Sequence, residues 1–189
     1  MANCNRRPFH GLTNYSLILY SMYNIGMPLD ALAKRYAEML FQEQAEKIRE
    51  DQNKEMQKVT ADYSRRNMLQ SGMYLSAKGK VIGDHLGMMA EARANALVQA
   101  YERSRLAFDA SAVHEVSAAV DQFCEAQKAP IVAAARHMVG QTFGPQGIPQ
   151  NLSETITKQM EHVLSGAASR IKRSLSIKHA PFPRQRRQR

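Results

Sequence analysis

At 189 residues and 21.3 kDa the chain has room for one ordinary domain, with or without an extended helical element, and not for two large ones. Its apolar content of 44% comes mainly from Ala, Leu, Met and Val, with 7% aromatic residues and no Trp, a mixture that favours helices over a pleated surface. The net charge is +9, yet eight bases and no acid lie between Arg170 and Arg189, so removing them leaves +1 for residues 1–169 and excludes a uniformly basic surface.

In chain order, residues 1–12 show no periodicity and read as a lead-in. Asn5-Arg6-Arg7-Pro8-Phe9 resembles the start of a twin-arginine export signal, but the apolar stretch that follows is broken by Ser16, Ser21 and Asn24 and lacks a small-x-small cleavage site before Pro28. The preferred reading of Asn14 to Ile25 is a short apolar helix that packs Leu17, Leu19, Tyr20 and Tyr23 onto the body, so residues 1–27 form a lead-in plus a short helix. Cys4 and Cys124 stand far apart and make no disulfide framework, which points to free thiols in a reducing, cytoplasmic setting.

Residues 28–71 read as one long polar amphipathic helix, opened by Pro28 in its first turn and uninterrupted by Gly or Pro until Gly72. A continuous helix from Leu29 to Ser71 would be about 65 Å long at ~1.5 Å per residue, more than a compact domain of this size spans. Its middle pairs Glu43 with Lys47, Glu50 with Lys54 and Glu55 with Lys58 around a narrow seam. Such a helix either projects as a coiled-coil-like hairpin or forms the solvated outer helix of a bundle. Gln52, standing where a core residue is expected, argues against a regular heptad.

Residues 72–180 are expected to form the helical body. Gly79, Gly83 and Gly87 line one face if their segment is helical, and they are predicted to let a neighbouring backbone come close; a bent connector is the alternative. Leu86 to Phe108 carries an Ala-rich helical stripe. Asp109 or Ser111 can cap the next helix, which Pro130 should kink or split at Ala129. After the Gly144-Pro145-Gln146-Gly147-Ile148-Pro149 loop, Asn151 and Glu154 resemble a capping box at the start of a last helix striped by Ile156, Met160, Val163, Leu164, Ala167, Ala168, Ile171 and Leu175. Pro181 and Pro183 end it, so residues 181–189 are expected to be a disordered basic tail.

Together these elements predict an all-α fold of long amphipathic helices in antiparallel hairpins, a helical bundle, with residues 28–71 projecting or coiled-coil-like. Tests for chemistry fail. No Glu precedes a His by three positions, and there is no His-Glu-x-x-His or Cys-x-x-Cys, so no metal site is predicted and His85, His114, His137 and His162 are expected at the surface or in caps. Gly79-Lys80 lacks the rest of a P-loop, and Cys124 on its apolar stripe reads as a core thiol. No catalytic residue, cofactor or small-molecule substrate is expected.

What remains is the basic end. Arg170, Lys172, Arg173, Lys178, Arg184, Arg186, Arg187 and Arg189 are the predicted polyanion-binding residues. The reading is a non-enzymatic, homo-oligomeric helical assembly or scaffold protein, tethered by this end to nucleic acid or another polyanion. The alternatives are a peripheral membrane protein that lays its basic amphipathic last helix on an anionic surface, and a nucleic-acid-binding protein proper.

Overall fold

The computed structural model describes residues 29–144 and 150–179, so the predicted helix at Asn14 to Ile25, the arginine pair near the N-terminus and the tail from Ala180 lie outside the described residues. Four helices follow in order: α1 (Ala31–Arg65), α2 (Gly72–Arg103), α3 (Ala110–Phe143) and α4 (Gln150–His179). The fold is an all-α helical bundle.

The helix starts follow from short polar side chains that accept from the otherwise unpaired first-turn amides. Asp30 accepts from Ala33 N–H at 2.7 Å, Ser71 from Tyr74 N–H at 3.2 Å, and Asp109 from the Ser111 and Ala112 N–H groups at 2.9 and 3.1 Å. At the other ends, α1 and α2 close in the same way. Asn67 and Arg105 adopt left-handed φ values of 56° and 55°, which folds Met68 N–H back onto Tyr63 and Leu106 N–H back onto Tyr101. Asn tolerates that conformation better than Arg does.

Three expectations are corrected. The long helix stops at Arg65 rather than reaching Ser71, because the Asn67 cap ends it without any glycine. At 35 residues it is about 52 Å long, taking ~1.5 Å per residue, and it lies along α2 as the solvated outer helix of the bundle, one of the two arrangements its pattern allows. Pro130 does not split α3, which runs unbroken through it: Pro130 and Ala126, whose carbonyl loses its N–H partner, are both exposed, so water can take the vacant acceptor. Asn151 does not cap α4; it already lies in the first turn, where its carbonyl accepts from the Thr155 hydroxyl.

α2 is the central element, packing against all three others. It runs antiparallel to α1, with Arg103 over the Tyr36 ring at one end and Tyr74 beside Tyr63 and Thr60 at the other. It runs parallel to α4, as the Ser76–Gln159, Gly83–Val163 and Glu91–Arg170 neighbours show. α3 is antiparallel to α4, through Lys172 and Asp121, and its start meets the end of α2 at Tyr101 and Glu115. α1 reaches α3 through long side chains such as Phe41, edge-on to Phe123. One hydrophobic core joins all four helices. The centrality of α2 explains its composition: a helix buried on nearly every side is apolar or small nearly all round, here with Ala90, Ala92, Ala94, Ala96 and Ala100 buried.

Candidate polyanion-binding end

Each predicted site residue has a definite place. Gly79, Gly83 and Gly87 face α4 directly. A Cβ on Gly79 would stand 2.9 Å from Ile156 Cγ2, one on Gly83 3.2 Å from Val163 Cβ and 3.4 Å from the Met160 Cα, and one on Gly87 3.1 Å from Ala167 Cβ. The two backbones therefore approach closely enough that side chains at these positions would collide. This contact sets the register of α4 and decides where its cations fall.

The apolar stripe of α4 is spent on that packing: Ile156, Met160, Leu164, Ala167, Ala168, Ile171 and Leu175 are all buried. Arg170, Arg173 and Lys178 remain exposed on the last turns, while Lys172 is half-buried and donates to Asp121 of α3 at 2.7 Å. The four cations do not form one patch. Arg170 and Lys178 flank a groove of about 290 Å³ between α2 and α4, floored by Ala94, Val98 and Leu175 and edged by Glu91, Asn95 and Ser174. Arg170 sits 4.0 Å from Glu91, a loose and exposed pairing. Lys172 points to α3, and Arg173 to solvent. Arg184, Arg186, Arg187 and Arg189 lie outside the described residues.

Cations suit a helix C-terminus, where the backbone dipole leaves partial negative charge. Because α1 and α3 start where α2 and α4 end, this end of the bundle also carries Arg35, Arg103 and Arg105, offset by Asp30, Glu102 and Asp109. The net positive charge thus belongs to α4 and the chain beyond it.

The same end is tied together by a polar cluster that sequence reasoning missed. Tyr101 and the Leu29 N–H both donate to Glu115, and Lys34 pairs with it at 3.2 Å. Burial pulls the Glu115 carboxyl upward, but the bonds from Tyr101, Lys34 and Leu29 outweigh it and hold the group below the usual range. Burial, reinforced by the Glu115 charge, pushes the Tyr101 phenol well above its ordinary value. Both groups are thereby fixed as structural members, Glu115 as carboxylate and Tyr101 as donor.

Midway along the bundle a groove of about 630 Å³ opens between α1 and α3, with Leu86 and Met89 of α2 in its floor and Arg49, Arg93, Gln52, Gln122 and Gln127 around it. Arg93 is bound to Glu38 and lies over the Phe41 ring at 5.0 Å; Arg93, ahead of Gln42, holds the Glu38 carboxyl below its usual range. These partners are 55 positions apart, and nothing in the local pattern links them.

His85 corrects another expectation. It is a core residue, 2% exposed, with Nδ1 bound to the Val81 carbonyl at 2.8 Å and Nε2 3.8 Å from Glu55, whereas His114, His137 and His162 are exposed. Among the described residues no group of three or more His, Cys, Asp or Glu is placed to hold a metal ion. Burial, with Asp121 nearby, pushes the half-buried Cys124 thiol up and away from the reactive thiolate. No described helix is long and apolar enough to cross a membrane. No family model, curated protein or solved structure matches the chain.

Proposed function

We propose that this protein is a non-enzymatic helical assembly protein whose basic C-terminal end tethers it to a polyanion, nucleic acid in the first place. The observation that carries the reading is the division of labour on α4: Ile171 and Leu175 are buried while Arg170, Arg173 and Lys178 on the same turns are exposed. The helix is anchored by one face and offers charge on the others, directly ahead of four further arginines. That burial leaves Ile177 as the one large exposed apolar side chain on α4, too little for a membrane-lying helix to insert, so nucleic acid is favoured over an anionic bilayer. Self-association rests on the groove between α1 and α3, where an apolar floor ringed by three glutamine amides, Arg49 and the Arg93–Glu38 pair suits a second copy of this neutral-bodied chain.

The tether is tested by binding labelled duplex DNA, single-stranded RNA and anionic vesicles at low and high salt, with the full chain and a version ending at Ala180. Losing four arginines should flatten the log–log salt dependence on duplex DNA by up to about 3.6, at ~0.9 per phosphate contact. Unchanged binding to all three would refute the tether. Light scattering that gives a monomer at every concentration would refute self-association.

A further inference from the structure

The first two turns of α1 present the only large exposed apolar side chains on that helix, Leu32 at 77% and Met39 at 61% exposure. Tyr36 lies between them, half-buried, with the Arg103 guanidinium 4.3 Å from its ring centre. Together with Arg35 and Ala33 they line a groove of about 420 Å³ that opens outward. Beyond Met39 the face changes character at once: every exposed residue from Gln42 to Lys58 is polar or charged. The apolar surface is therefore short, ending about 10 Å along the helix from Leu32, at ~1.5 Å per residue.

Its position relative to the chain is as informative as its length. Leu29, buried and hydrogen-bonded through its N–H to Glu115, fixes the point where the preceding segment enters the bundle, one turn from Leu32. That segment holds an apolar run with helical spacing, Leu17, Tyr20 and Tyr23, followed by Gly26 and Pro28, residues that suit a tight reversal. A twelve-residue helix from Asn14 to Ile25 is about 18 Å long, enough to cover Leu32 to Met39 and to stop where the charged face begins.

We infer that residues 14–27 fold back on α1 of the same chain and cover the Leu32–Tyr36–Met39 face as an antiparallel helical hairpin. Reversal around Pro28 sets Tyr20 against Tyr36 and Leu17 against Met39. A second copy is disfavoured by size: a stable protein–protein interface buries roughly 1,200 Å² or more, which two helical turns do not supply. A segment joined by a three-residue link needs far less area, since its effective concentration is of order millimolar. The inference is independent of the polyanion reading.

Cross-linking the full chain decides it. With Cys4 and Cys124 replaced by Ser and Ala, Leu17→Cys is combined with Met39→Cys or, as a distant comparison, with Lys58→Cys, and treated with a short bismaleimide. Asp121→Cys with Lys172→Cys, neighbours across α3 and α4, confirms that the chemistry works. The expected result is a monomeric cross-link to position 39 that forms at least about tenfold faster than to position 58. Equal rates, or no product at either position while the control pair reacts, would overturn the inference. So would a product found mainly as a cross-linked dimer, which would assign the face to another copy.

Discussion

α2 holds its two long neighbours by different means. Against α4 it presents Gly79, Gly83 and Gly87, and the backbones close until a single added carbon would meet Val163 at 3.2 Å. Against α1 it offers a buried seam only as far as Ala45; from there to Arg65 no residue of α1 is buried, and Ile48, Met56, Val59 and Tyr63 are partly covered. Both contacts bring two backbones together, the first through glycines and the second through Ala33, Ala37 and Ala45, but the second is dry only as far as Ala45. Helices of nearly equal length are thus held with unequal tolerance to change: the first interface has no room to adjust, while the second borders water beyond Ala45.

The largest effect is expected from Gly83→Leu, which forces a branched side chain against Val163 and the Met160 backbone. It should cost about 3 kcal/mol of stability, read from the denaturant midpoint, since an overpacked site that cannot shift costs this much. Tolerance of leucine there would mean that α4 moves freely on α2.

Glu115→Ala comes next. It leaves the Tyr101 hydroxyl and the Leu29 amide without their acceptor and should cost about 2 kcal/mol at neutral pH. The carboxyl is held below its ordinary pKa of 4.5 in the folded protein, so its contribution is complete above that pH and fades as the pH falls through the lower, folded value. The gap between wild type and variant should therefore narrow below pH 4.5 and stay constant from there through neutral pH. A gap that widens in acid would contradict the hydrogen-bonded carboxylate.

Gly140→Ala should act in the opposite direction. A Cβ at this α3 position meets nothing within 4 Å, so the substitution should stabilise by up to about 1 kcal/mol, seen as a raised thermal midpoint. Glycines of one helical bundle would then differ in sign according to what stands opposite them. The smallest effect belongs to Lys47→Ala on the outer face of α1. Glu43 and Lys47 are bonded at 2.7 Å but solvated, and the denaturation midpoint should not move.

Much of the fold was legible. Steps of three and four mark a stripe in each of the four described helices, for α2 only from Leu86 onward, Asp109 is one of two candidate caps, and the α4 stripe matches the buried residues except for the half-buried Val163, because periodicity and capping are local properties of a backbone. The errors arose where a local rule met a neighbour or solvent. Asn67 ended α1 with a left-handed turn that no glycine announced, and Pro130 survived within α3 because its side faces water. His85 looked like a surface residue among Lys80, Asp84 and three glycines, yet it turns into the core, where α1 covers it. A signal for its burial was present in the near absence of charge on every face of α2 between His85 and Ala100, interrupted by Glu91 and Arg93 alone.

The basic end divides in the same way. Composition alone places the excess charge after residue 169, and the spacing of α4 separates its apolar stripe from its cations. Which cations stay available follows from long-range packing: Asp121 of α3 engages Lys172, Glu91 of α2 stands near Arg170, and Arg173 and Lys178 are left exposed. Those partners come from other helices, Glu91 from α2, which the three glycines let close on α4, and Asp121 from α3, which packs on α4 directly, and a periodicity read along one helix carries no information about what is packed against it.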